Sequence, residues 1–275
     1  MLHKILPFLL LIATAVHAYE DPYANIFDAA KNGSADDVAY YLAQGVRADT
    51  KDDDGMTPLH LAAQFNPDPD VLEFLIGQGA DVNAKTNGGR TPLDVADTDE
   101  HKTILRAAGA PATFRYLFDT AARINIDDIR SFMEQKNTDI NKKGDAGLTL
   151  LHVVAQYNPD VDVLNFLIAQ GTGVNAKTNL GATPLHYAAL KNTNPTVLKF
   201  LIIQGADIHA KNSRGWTPLH SAATGTSPVE VLKFLIDQGA DVNAKTDEGG
   251  MPLDYTESEE KQQILRDAGG KSTWK

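Results

Sequence analysis

The sequence predicts an all-α repeat solenoid, a stack of helix pairs that can bury their apolar faces only against one another. Three observations carry this. A four-residue motif recurs as Thr57-Pro58-Leu59-His60, Thr91-Pro92-Leu93-Asp94, Thr149-Leu150-Leu151-His152, Thr183-Pro184-Leu185-His186, Thr217-Pro218-Leu219-His220 and Met251-Pro252-Leu253-Asp254. Its steps are 34 residues long, save one of 58, and a fixed period of that size marks a solenoid. A second marker, Gly-Ala-Asp-Val-Asn-Ala-Lys or a variant, follows in phase at 79–85, 171–177, 205–211 and 239–245.

Each element of a unit follows from its residues. Thr57 can cap the first amides of a helix, and Pro58 in the first helical position gives up no hydrogen bond. Leu59, Ala62 and Ala63 then share one face, and the small alanines let the next unit approach closely. A second helix begins near Pro69 with Asp68 as its cap and Val71, Leu72, Leu75 and Ile76 as its apolar stripe. Gly79 stands where a left-handed residue ends a helix. The run from Ala80 to Arg90 is rich in turn formers and leads to the next Thr-Pro. One such unit cannot bury its apolar face alone, so neighbours must stack on it.

Over about 24–270 the two motifs resemble the ankyrin repeat family, whose units carry a Thr-Pro-Leu-His signature. The resemblance implies a helix-turn-helix stack with β-hairpin fingers projecting from its side. The units here are one residue longer than that family's. The extra residue lies between the helices, where the chain has Asn-Pro-Asp-Pro-Asp (66–70) or Asn-Thr-Asn-Pro-Thr (192–196).

Degenerate units extend the pattern to about eight. Ile26 to Ala30 aligns with Leu59 to Ala63, and Leu117 to Ala121 opens another unit. Pro92-Leu93-Asp94 and Pro252-Leu253-Asp254 open short units that end alike, in Ile104 to Gly109 and Ile264 to Gly269. Polar residues crowd the second helices of both, as the outward face of a solenoid cap requires. The chain therefore divides into a first block, 24–110, a second block, 116–270, and a tail, 271–275, related by an internal duplication. A single stack running through the junction with altered twist is expected; two separate solenoids are the alternative.

Residues 1–18 stand outside the repeats. Lys4, the apolar run Ile5 to Val16, and the small residues Val16 and Ala18 have the anatomy of a secretory signal peptide cleaved after Ala18. The run is shorter than the ~20 residues that span a bilayer. A periplasmic or secreted protein, bacterial in type, monomeric and without a membrane span after cleavage, is expected.

Composition narrows the chemistry. The formal charge is −11, which disfavours binding to phosphate backbones and so to nucleic acid. There is no cysteine, hence no disulfide, thiolate metal site or thiol nucleophile. His60, His152, His186 and His220 occupy equivalent points of their units. Stacked helices lie ~8–10 Å apart, whereas a metal's ligands sit within ~2.0–2.1 Å of it. The histidines are therefore expected to be structural. Asp52-Asp53-Asp54-Gly55 superficially resembles a calcium loop, but Thr50 and Leu61 stand where oxygen ligands belong. No catalytic arrangement, metal site or cofactor is expected.

The informative residues are those that vary on the fixed framework. The resemblance implies a protein partner along the concave side, touching finger tips and the exposed ends of first helices. Carried onto this chain, those positions hold Phe65, Leu148, Tyr157, Leu180, Leu190 and Trp216, apolar residues that the repeat does not need, with Arg90 and Arg214 beside them. Aromatic residues and arginine are enriched where binding energy concentrates. The reading is a non-catalytic protein-interaction module. A structural spacer of the cell envelope, and then an enzyme or small-molecule binder, are the alternatives.

Overall fold

A computed structural model of the chain describes residues 22–135 and 138–273. The leader reading at 1–18 lies outside them. Fifteen α-helices and no strand occur among the described residues, so the all-α repeat architecture is observed. The chain forms two compact units, divided between Tyr116 and Leu117.

The first unit contains α1 (Ile26–Asn32), α2 (Ala35–Ala43), α3 (Pro58–Phe65), α4 (Pro69–Gly77), α5 (Pro92–Val95) and α6 (Asp99–Ala107). Here α1, α3 and α5 pack in succession as one layer, and α2, α4 and α6 as a second. The boundary falls within α7 (Phe114–Asp119). After it come α8 (Ile126–Met133), α9 (Leu150–Tyr157), α10 (Val161–Ala169), α11 (Pro184–Lys191) and α12 (Pro195–Ile203). The second unit ends with α13 (Pro218–Thr224), α14 (Val229–Asp237), a 3-10 turn (Pro252–Tyr255) and α15 (Glu259–Asp267). There α9, α11, α13 and the 3-10 turn form the first-helix layer, while α8, α10, α12, α14 and α15 form the other.

The local chemistry is as the residues dictate. Pro58, Pro184 and Pro218 each occupy the first turn of their helix behind a threonine cap. The second helix of the unit begins at Pro69, with the Asp68 carboxylate accepting from Asp70 N at 3.0 Å. Gly79, just beyond it, has φ 86°, the left-handed conformation that glycine adopts without a Cβ penalty. Leu59, Ala62, Ala63, Val71, Leu72 and Leu75 are all buried, each leucine contributing about 1.5–3 kcal/mol.

The turn between the helices has a role that its length alone does not reveal. Asn66, Asn158 and Asn192 are buried, and each side-chain amide donates to two carbonyls of the preceding helix pair. Asn192 Nδ2 reaches Ala155 O at 2.8 Å and Asn158 O at 3.0 Å. Asn158 does the same to Ala121 O and Ile124 O, and Asn66 to Ala30 O and Gly33 O. The carbonyls at a helix C-terminus lack intrahelical partners. Each asparagine supplies them from the next pair and so joins consecutive pairs by polar bonds as well as apolar contact.

The expectation of β-hairpin fingers is corrected. In place of strands there are tight turns, because their amides are spent elsewhere. In the turn at 52–56 one backbone bond closes the arch, Asp52 N to Met56 O at 3.0 Å, while the Asp52 carboxylate accepts from Asp54 N and Met56 N. The neighbouring turn then bonds across, Asn87 N to Asp54 O at 2.9 Å. Gly55, at φ 75°, lies so close that a Cβ there would stand 2.6 Å from Asn87 Oδ1. The run of aspartates is thus a turn-forming device.

Both short units end in the same way. Asp94 and Asp254 replace the motif histidine. The Asp94 carboxylate accepts from Thr91 N and from the Thr113 hydroxyl. Asp254 accepts from Met251 N, the Ser272 hydroxyl, and both Thr273 N and its hydroxyl. Burial works to raise the Asp254 pKa, but these hydrogen bonds outweigh it and hold it at about 2. Residues 271–273 are therefore pinned: Lys271 N also donates to Asn243 Oδ1 at 2.8 Å.

Candidate protein-binding surface

The motif histidines fix the base of the surface. Thr183 N and its hydroxyl both meet His186 Nδ1, at 3.2 and 2.9 Å, while Nε2 lies 2.9 Å from Trp216 O. With Nδ1 accepting from the amide, the proton belongs on Nε2, which donates to the carbonyl. The imidazole thus takes the part that a glutamate plays in a capping box, and its far nitrogen ties the helix to the next turn. His60 and His152 do the same to Arg90 O and Ala182 O. The Nε2 of His220 makes no such bond; the rings of Trp216 and Tyr255 flank that imidazole instead. Burial lowers all four pKa values, to about 4 for His152 and His220. Buried, with pKa values lowered and Nδ1 held by the threonine, these histidines are framework. Among the described residues no group of three histidines or carboxylates could hold a metal ion.

The structure sorts the sequence-predicted residues into three groups. At the ends of first helices, Phe65 is 47% exposed and Tyr157 45%. A lysine covers one face of each ring, Lys31 Nζ at 4.6 Å from the Phe65 centroid and Lys191 Nζ at 5.6 Å from that of Tyr157. Such cation–π contacts contribute about 0.5–1 kcal/mol at exposed sites and hold the rings in place. On the turns, Leu180 is 59% exposed, and Arg90 and Arg214 are also exposed. Leu148, Leu190 and Trp216 are only half-buried rather than open.

Trp216 requires a correction. The sequence places its indole exposed at a turn, as a partner contact that the repeat does not need. Its ring centroid lies 4.8 Å from that of Tyr255 and 5.7 Å from that of His220. The indole therefore covers the junction to the last unit, which has a 3-10 turn where a full first helix would stand.

Within the second unit, one aromatic residue escaped the sequence reading. Tyr187, half-buried on α11, meets the His152 ring edge-on at 5.5 Å, and burial raises its pKa. It belongs to the same first-helix layer as Tyr157, and Lys191 on its own helix covers the Tyr157 ring. The signal was present: Leu61, Val153 and Ser221 fill the equivalent position in other units. Ile203, 69% exposed, lies apart at the end of α12 in the other layer.

Helix pairs stacked in two layers, with threonine-anchored histidines reaching from three of them to the next turn, define a repeat solenoid. A family model that spans three ankyrin repeats matches residues 26–128, 117–212, 151–246 and 189–265. The chain belongs to the ankyrin-repeat family, whose members are generally protein–protein interaction modules. No curated protein matches it. No helix among the described residues is long and apolar enough to cross a membrane.

Proposed function

We propose that this chain is an exported, non-catalytic module that binds a protein partner through its first helices and turns. The observation that carries the reading is the exposure of Tyr157 and Leu180, two large apolar side chains that the framework leaves uncovered. Tyr157 is held in place by Lys191. A ring fixed before binding loses less conformational freedom when a partner covers it. Tyr187 and Leu148 extend the surface within the second unit; Phe65 and Arg90 are candidate positions of the first unit taken by itself. The partner is a protein of the envelope or of the extracellular space. The anatomy of residues 1–18 supports export, with a mature chain beginning at Tyr19.

Two measurements test this. The intact mass of the exported chain should correspond to a start at Tyr19; a membrane-bound chain that retains Met1 would overturn the export reading. Replacing Tyr157 and Leu180 together by alanine should weaken partner binding by roughly 2 kcal/mol or more, the scale of a binding hot spot. Unchanged affinity in a folded double variant would place the interface elsewhere.

A further inference from the structure

The charges of this chain are unevenly spread. Its formal charge is −11, yet from Val163 to Val229 there is a single acidic residue, Asp207, against five lysines and arginines. The fold divides those five between two faces. Lys199 stands exposed on α12, in the second-helix layer. Lys177, Lys191, Lys211 and Arg214 stand exposed on α11 and on the turns that lead into α11 and α13. The carboxylate of Asp207 accepts from His209 N at 2.9 Å. Among the described residues none of the four cations pairs with a carboxylate.

The same elements carry the exposed apolar side chains. Lys191 covers the Tyr157 ring at 5.6 Å. Leu180 lies in the turn that follows Lys177, and its carbonyl accepts from Ser213 N at 2.9 Å, which fastens it to the turn that bears Arg214. Helices α9, α11 and α13 pack in succession behind these turns. Acid returns only in the turns on either side, with exposed Asp145 before and exposed Asp247 and Glu248 after. A protein of net negative charge repels an acidic partner over most of its surface. Unpaired cations confined to one patch attract it there and fix its orientation. They are not needed for folding, since exposed charges contribute little stability. A nucleic acid would bring phosphates along its whole length to a chain of net negative charge. An acidic stretch of protein brings its carboxylates at intervals, and apolar side chains between them.

We propose that the partner, resting on this surface as the function proposed above requires, presents an acidic segment: its carboxylates meet Lys177, Lys191, Lys211 and Arg214, and its apolar side chains meet Tyr157 and Leu180. The test is selection of binders to the full mature chain from a displayed library of random linear peptides, followed by titration of the recovered peptides against variants. The recovered peptides should be rich in aspartate and glutamate and carry a large apolar residue. The pair Lys177→Glu and Arg214→Glu should weaken them about tenfold or more, and added salt should weaken them as well. The pair Lys199→Glu and Lys233→Glu makes the same change of net charge on the other layer and should leave binding unchanged. Should the first pair fail to fold, Lys177→Gln with Arg214→Gln should weaken binding in the same direction. Acid-poor peptides, or acid-rich ones that the two glutamate pairs weaken equally, would overturn the proposal; their loss from the Tyr157→Ala and Leu180→Ala variant would still support the surface itself. Acid-rich peptides that lose affinity on charge reversal at 177 and 214 but bind the alanine variant unchanged would overturn the aromatic surface and uphold the cations. A single-stranded oligonucleotide binding more tightly than every recovered peptide would overturn the proposal in favour of nucleic acid.

Discussion

Replacing Asn192 by alanine should unfasten one junction of the stack, and the size of the effect follows from its geometry. Asn192 is 2% exposed. Its Nδ2 donates at 2.8 and 3.0 Å to carbonyls of the preceding pair, and its Oδ1 accepts from Asn194 N at 2.8 Å. A hydrogen bond contributes about 1 kcal/mol net, and a buried group left unsatisfied costs about 1–3 kcal/mol. Three lost bonds give about 3 kcal/mol, and more if water cannot reach the two carbonyls. Serine at 192 should be intermediate, because Ser227 meets its carbonyl with one bond at the equivalent junction. The assay is equilibrium unfolding in urea, with Glu73→Ala, an exposed helical site, as a control within about 0.5 kcal/mol. A loss below about 1 kcal/mol for Asn192→Ala, or serine no better than alanine, would refute the reasoning.

Two further predictions concern the framework. The histidine pKa values are depressed in the folded chain, so the unfolded chain binds more protons between the ordinary 6.5 and about 4. Stability from these groups is fully present above 6.5 and is lost as pH falls towards about 4. Urea midpoints measured across that window should fall, and a flat profile would show that the imidazoles accept charge in place. Trp216→Ala should destabilise by about 1–3 kcal/mol through lost burial, whereas Tyr157→Ala should cost about 0.5 kcal/mol in stability. Melting curves of the two variants check the order, and the reverse order would contradict the packing assigned to the indole.

Much of the framework was legible in the sequence because it is made within one unit. Thr57 and Pro58 start a helix, Asp68 and Pro69 start another, and Gly79 ends it; the structure keeps each of these assignments. What escaped is what one unit does to the next. The residues at 66 and 192 read as a lengthened turn, since their carbonyl partners lie 33 to 37 residues away. The fingers read as hairpins, although their amides go to aspartate, threonine and asparagine side chains and to neighbouring turns. Trp216 read as open because nothing near it in sequence shows that Tyr255 lies over it. Phe65, Tyr157 and Leu180 read correctly as exposed, because the repeat leaves those positions without an inward partner. Lys261 drew no notice among the polar residues of a cap, and only the fold shows it buried.

The central claim is that the first-helix and turn surface is the one a partner covers. Site-specific photo-crosslinking tests it most directly. A photoreactive side chain is placed at Tyr157, at Leu180, and at Ile203, the most exposed of these large apolar residues but part of the other layer. The cells that produce the chain are then irradiated. The account predicts one adduct of common mass from 157 and from 180, suppressed by excess unmodified chain, and no such adduct from 203. Adducts from 203 alone, or equally from all three positions, would contradict it.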